Sequence, residues 1–472
     1  MGVAVRAAAE NKALRNDVAV TGTIQPGGDA GGVGGIIDKS QAAARNGMRI
    51  LVTPAQQLYE NIILRALSKK YNFTAVQVGT LDEAYKIATS APGQDFESGF
   101  KLALKQEPQN LTLRELEGDE ARFKQVASKI NGQLRQRLSA ADGPLAEYSG
   151  HYGEEVARNE RIIERGYPYT AANFAFLSLV DADFLTTPPE SLDLGSAAAQ
   201  VRECLAALPK AAPTDANFQW VMGADVRREW AEYKAEKTLE GAENFTSSEE
   251  RYVAVRELHY AKSWCIAAGY LSEEADKIGG RGINASLLEA HARLAVADAE
   301  KQIMEAGLAD PEAEWHLEVA KRSLSKKEWL AAIYDAAYSK AAELAYADEL
   351  EGGGNQTETD RIARYGMKTL WGKIYQSQGA YIMQEAAGKG MQAGGMGKGA
   401  PPESARVLLL SGKIEDETQT ILQIISGANA EKKVVAVEGG EAAKGPASLL
   451  AASIMMVAIV AMAAEFISAN KR

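Results

Sequence analysis

Cysteine, histidine and aromatic residues are all scarce in this chain. Its 472 residues include 2 Cys, and aromatic residues make up 7%. Cys204 and Cys265 are too few for a zinc site and too far apart for a Cys-x-x-Cys redox motif. Whether they pair with each other stays open. His151, His259, His291 and His316 show no His-Glu-x-x-His or comparable spacing, so packed or surface histidines are expected, with no metal and no other cofactor. A basic excess is also missing: 52 Lys and Arg against 63 Asp and Glu give a net charge of −11, which argues against nucleic acid as a partner. The opening residues carry Arg6, Glu10, Lys12, Arg15 and Asp17 and so lack the apolar core of an export leader. A phosphate loop is absent too. In "GKGMQAGGMGKG" the pair Gly397-Lys398 has Gln392 where the first glycine belongs and Gly399 where Ser or Thr belongs.

What remains is a folded, alanine-rich composition, 46% hydrophobic and 24% charged, long enough for roughly two or three domains. The first ninety residues alternate helix and strand signals. "MGVAVRAAAENKALRN" predicts a helix, "DVAVTGTI" a strand and "QPGGDAGGVGG" a glycine turn. A helix then runs to Arg45 with Asn46-Gly47 as its C-cap, followed by the strand "RILVT". Thr53 with Gln56, around Pro54, predicts a capping box for the helix "AQQLYENIILRALSKK". The strand "FTAVQV" and a helix capped by Thr80 and Glu83 close an α/β unit over 1–90.

From 91 to 427 strand signals vanish. Leu330, Ile333, Tyr334, Ala337, Ala341 and Leu344 trace one helical stripe, and "TTPPESLDLG", "KAAPTDAN" and "EGGGNQTETD" are breaks between helices. The expectation is an antiparallel bundle, without a clear 34-residue repeat. Residues 428–446 read as a linker, and the uncharged run from Ala447 to Ala464 predicts a transmembrane helix over 447–468. Lys471 and Arg472 after it place the body on the extracytoplasmic side of a single-pass C-terminal anchor, with the membrane as a partner. Sequons at Asn72, Asn110, Asn244, Asn284 and Asn355 point the same way.

One stretch is odd. In "GGVGGIIDKSQAAARNG" four glycines approach a helix whose first turn holds a lysine, although the helix macrodipole favours anions there. Taken together, Thr21-Gly22, the glycine turn, Gly34-Gly35-Ile36-Ile37-Asp38-Lys39, Ala42 to Ala44, Gly47, the strand Arg49 to Val52 and Pro54 resemble the proteolytic domain of Lon-type (S16) serine proteases. The bundle and apolar tail resemble the archaeal membrane-associated branch without a fused ATPase. The fold class expected is therefore α+β: a small α/β Lon-protease-like domain, incomplete at its N-terminus, then a long all-α region and a C-terminal transmembrane helix.

The resemblance implies a membrane-anchored serine endopeptidase with a Ser-Lys dyad. Lys39 would be the general base and Thr21 would orient it, while Gly22, Gly34 and Gly35 would offer backbone to a peptide. Burial and a positive helix end would disfavour the ammonium and free the amine to act. The family's serine lies in a Gly-x-Ser-Ala-Gly segment ahead of the first helix, and no serine precedes Ser40 here. Ser40 is on the same helix as Lys39 and cannot face it. Ser149 and Ser196 read as cap or turn serines. The nucleophile is thus expected upstream of Met1, leaving this chain inactive as given; a displaced start is favoured because it also accounts for the missing leader. The alternative is a degenerate, non-catalytic, membrane-tethered helical scaffold. Protein or peptide substrates are implied, and a homo-oligomer is compatible with the reading.

Overall fold

The computed structural model describes residues 1–25, 27–97, 107–108, 111–140, 148–186, 193–306, 310–350, 356–388 and 402–427. The N-terminal layer runs α1 (Gly2–Ala9), β1 (Val18–Val20), β2 (Thr23–Ile24), β3 (Ala30–Gly31), α2 (Ile36–Arg45), β4 (Ile50–Thr53), α3 (Leu58–Tyr71), β5 (Thr74–Gln77) and α4 (Leu81–Ala88). Strands β1, β4 and β5 form a parallel sheet in that order, with Val20 opposite Val52 and Thr53 opposite Gln77. The short runs "ILVT" and "TAVQ" are apolar on both sides because helices cover both faces. Ile50, Val52 and Val76 pack against Val3 and Ala7 of α1 and Tyr85 and Ile87 of α4. Leu51 and Ala75 point the other way, toward Ile36, Ile37, Ile62 and Ile63 of α2 and α3.

Several local expectations shift. Helix α1 stops at Ala9, and Asn11 takes a left-handed φ of 52°. The strand expected over "DVAVTGTI" splits at Gly22 into β1 and the antiparallel β2–β3 hairpin. Thr53 is the last residue of β4 and does not cap α3. Gln57 and Glu60 form that capping box instead, since Pro54 to Gln56 are needed to turn the chain off the sheet. The Thr80 cap and the Asn46-Gly47 stop are found where expected, with the Glu83 N–H donating to Thr80 Oγ1 at 3.2 Å and Gly47 at φ 74°.

Beyond the α/β layer the described residues hold helices and no strand: α5 (Gly118–Ser139), α6 (Ser149–Glu164), α7 (Pro168–Thr186), α8 (Leu194–Ala207), α9 (Phe218–Gly241), α10 (Ser248–Asp276), α11 (Ala285–Ala306), α12 (Pro311–Ser325), α13 (Trp329–Leu350), α14 (Gln356–Arg364), α15 (Leu370–Gly388) and α16 (Pro402–Ile425). Helix α3 packs on α7, and its Tyr59 ring lies 6.2 Å from that of Phe184. The core around α2 and α3 therefore runs without interruption into the bundle. A disulfide joins Cys204 on α8 to Cys265 on α10 and resolves the pairing the sequence left open.

The transmembrane part of the expected fold class is corrected. Among the described residues no helix is long and apolar enough to cross a membrane, so a single-pass anchor and the localisation drawn from it lack support. The linker 428–446, the segment 447–468 and the glycine stretch around Lys398 lie outside the described residues. The apolar character of 447–464 came from composition alone, and uncharged Ala-rich sequence serves a buried helix as well as a bilayer.

One close approach fixes the bundle centre. A Cβ built on Gly223 of α9 would lie 2.0 Å from Cζ2 of Trp371, a fully buried ring whose indole N–H donates to the Gln219 carbonyl at 2.7 Å. The ring cannot retreat without losing that bond. Gly223→Ala should therefore destabilise the fold by about 3 kcal/mol through overpacking, as read from urea unfolding midpoints.

Candidate active site

The sequence-predicted residues gather at the C-terminal edge of the parallel strands, where open α/β sheets present their ligand sites. Thr21 follows β1 and extends the ladder, its N–H donating to the Val52 carbonyl at 3.0 Å. Gly22 then turns the chain at φ 154°, and a Cβ there would meet Pro54 at 3.5 Å and the Gly31 carbonyl at 3.6 Å. The β2–β3 hairpin is pinned to the turn before α4 by the Ala30 N–H on the Gly79 carbonyl at 2.8 Å and the Leu81 N–H on the Gly28 carbonyl at 2.8 Å. The start of α1 reaches the same place, because a Cβ on Gly2 would touch Ile24 and Leu81.

Helix α2 begins after Gly35, which sits in the left-handed region at φ 73° and has no side chain to cap the helix. One turn in, Lys39 folds back over that start and its Nζ donates to the Gly34 carbonyl at 2.6 Å. Lys39 is exposed. The burial expected to neutralise it is not provided by the described residues, and a Cβ on Gly32 or Gly34 would meet only open space. Thr21 is half-buried, and among the described residues no hydrogen bond links its hydroxyl to Lys39. Ser40 is fully buried with its hydroxyl committed to the Ile37 carbonyl at 2.6 Å, away from the amine. Ser196 is not itself a cap: its N–H donates to the Asp193 carboxylate that caps α8. Ser149 starts α6 with its hydroxyl buried.

Two residues that sequence reasoning missed complete this edge. The Glu249 carboxylate, at the start of α10, accepts the N–H of Gly35 at 2.7 Å and of Ile37 at 3.0 Å. In return Asp38 accepts the N–H of Ser248 at 3.1 Å and of Glu249 at 3.4 Å. Two helix N-termini thus meet head to head, each capped by a carboxylate of the other. Nearby, Glu60 on α3 is pushed up to about 7, first by burial and further by the charge of Glu249. "SSEE" announces the Ser247–Glu250 capping box of α10, but nothing local reveals a partner more than 200 residues away. Among the described residues no cluster of His, Cys, Asp and Glu is grouped to hold a metal ion.

No curated protein and no solved structure matches the chain. Residues 1–89 match the family model of the Lon protease (S16) C-terminal proteolytic domain, so the α/β layer is similar to a Lon-type protease domain.

Proposed function

We propose that the protein is a serine endopeptidase in which Lys39 is the general base of a Ser-Lys dyad, Thr21 orients it, and the backbone at Gly22, Gly34 and Gly35 lines the slot for an extended peptide. The observation that carries the reading is the Lon-type match over residues 1–89, on a layer whose Thr21–Gly22 turn, open glycines and lysine share one edge of the sheet. In the proposed reaction a serine hydroxyl attacks the scissile carbonyl and passes its proton to Lys39 Nζ, which hands it to the leaving amine. The resemblance implies a serine in a Gly-x-Ser-Ala-Gly segment ahead of the first helix, and the first residues of α1 lie against the same edge. For Lys39 to act, its amine must leave the Gly34 carbonyl and lose its contact with water. A peptide laid over the bare glycines would do both. Placement in the archaeal branch without a fused ATPase belongs to the same proposal, with energy coupling supplied by a partner.

The exposure of Lys39 favours a second reading, in which the Lon-type layer is a non-catalytic part of a helical scaffold. The codons ahead of Met1 and a peptidase assay separate the two. A protein carrying Gly-x-Ser-Ala-Gly before α1 should cleave casein and fluorogenic peptides, and Lys39→Ala should lower kcat/KM by about a thousandfold. A rate untouched by Lys39→Ala removes the dyad. A stop codon close upstream together with no hydrolysis establishes the scaffold.

A further inference from the structure

We infer that Glu249 is a positioning residue for Lys39, and that the helical body acts on the Lon-type site through it. Lys39 Nζ rests on the carbonyl of Gly34, and the N–H of that same peptide group, on Gly35, is held by Glu249 Oε1 at 2.7 Å. The same carboxylate holds the Ile37 N–H at 3.0 Å through its second oxygen. Glu249 thus holds the peptide that carries the acceptor of the lysine together with the first turn of α2 that follows it. It supplies what Gly35 cannot, a side-chain cap for α2, and its charge lies at the positive end of the helix that bears Lys39. Asp38 locks the clamp from the other side by taking the first two free N–H groups of α10.

The clamp is anchored to the body by one long helix. Further along α10, Arg256 stacks over Tyr59 of α3 at 4.6 Å and its Nε donates to Asp181 of α7 at 3.1 Å, and Cys265 is bonded to α8. Through Arg256 and Cys265, α10 links the positions of α7 and α8 to Glu249 and so to the Gly34–Gly35 turn. While the turn is clamped, the amine stays tethered to the Gly34 carbonyl. Withdrawal of Glu249 frees the turn and releases the amine.

This inference rests on the Lys39 site of the proposed function, but its test needs no peptidase activity. Trace acylation with acetic anhydride near pH 8, read by mass spectrometry, reports how reactive each amine is, with exposed Lys12 and Lys86 as internal references. Glu249→Ala should speed acylation of Lys39 relative to both references by about three- to tenfold, the range of a lost charge-assisted hydrogen bond at a helix end. Glu249→Asp keeps the charge but is one methylene short of reaching both N–H groups, so it should give most of the same increase. Hydrogen exchange at Gly35 and Ile37 should rise in both variants, which reads the clamp even where stability falls. An unchanged Lys39 rate in Glu249→Ala overturns the inference. So does an increase in Glu249→Ala with none in Glu249→Asp, which would leave only a charge effect. Faster acylation in a protein that hydrolyses nothing keeps the clamp and loses the base, whereas hydrolysis dependent on Lys39 but indifferent to Glu249 does the reverse.

Discussion

Replacing Cys204 and Cys265 together by serine should destabilise the protein by about 4 kcal/mol, the loop-closure entropy returned to an unfolded chain freed of a cross-link spanning 61 residues. The surroundings make this a large share of what holds α8. Its buried contacts with α9 and α10 are small: Ala197, Ala198 and Val201 meet Ala231, Ala235, Leu258 and Ala261. Alanine buries little apolar area per residue, so the helix leans on the covalent link more than a leucine-lined helix would. Cys265 is fully buried while Cys204 is half-buried, so a reductant reaches the bond from the α8 side. Unfolding in urea with and without dithiothreitol, and for the double serine variant, measures the loss. Hydrogen exchange should rise first along α8. A difference below about 1 kcal/mol would mean that the reduced chain already restrains α8 in its unfolded state.

How far the sequence reached depended on how local the signal was. The strand signals "RILVT" and "FTAVQV", the Asn46-Gly47 stop and the Thr80 cap are short-range patterns, and each is found in place, with the strands trimmed to Ile50–Thr53 and Thr74–Gln77. The cap of α3 was misplaced by a few residues because Thr53 satisfies the capping pattern yet is buried at the end of β4, where its hydroxyl has no hydrogen-bond partner among the described residues. The stripe from Leu330 to Leu344 signals α13 correctly but marks only one of its faces. In the fold α13 is buried nearly all round, including Asp335, Lys340 and Glu343, because α9, α11, α12 and α16 surround it. No periodicity in one segment can show how many neighbours will cover it. The Asp38–Glu249 exchange was illegible for the same reason. The burial that the resemblance implies for Lys39 depends on what lies over its amine, which no local pattern shows, and among the described residues the lysine is exposed.

The buried polar residues of α13 lead to the other large effect. Asp335 is fully buried, and its Oδ1 accepts the indole N–H of Trp230 at 2.8 Å and faces Nδ1 of His316 at 2.8 Å. The Tyr338 ring stacks on His316 with centroids 3.6 Å apart and closes the site to water. Burial pushes the Asp335 carboxyl well above its usual range and pushes His316 down to about 3, so we predict that the pair is uncharged at neutral pH. A neutral His316 with its proton on Nδ1 would donate to the same Oδ1 that takes the Trp230 indole N–H. Asp335→Ala should cost about 4 kcal/mol, since it leaves two buried donors without an acceptor and empties the volume between them. Asp335→Asn keeps the shared acceptor in an uncharged group of the same shape and should cost about 1 kcal/mol or less at pH 7. The sign of the pH dependence follows from the raised carboxyl. Its contribution to stability is fully present below its ordinary value of about 3.8 and declines as pH rises, because only the unfolded chain then ionises. Asn has no proton to lose, so its stability relative to the wild type should improve from pH 4 to pH 7. For His316 the signs reverse: the stability gained by keeping it neutral is present above about 6.5 and is lost as pH falls toward 3. Long-range nitrogen–proton spectra should accordingly show a neutral His316 imidazole at pH 5. If Asn proved as costly as Ala, with an imidazolium visible at pH 7, the pair would be ionic and the uncharged assignment would fall.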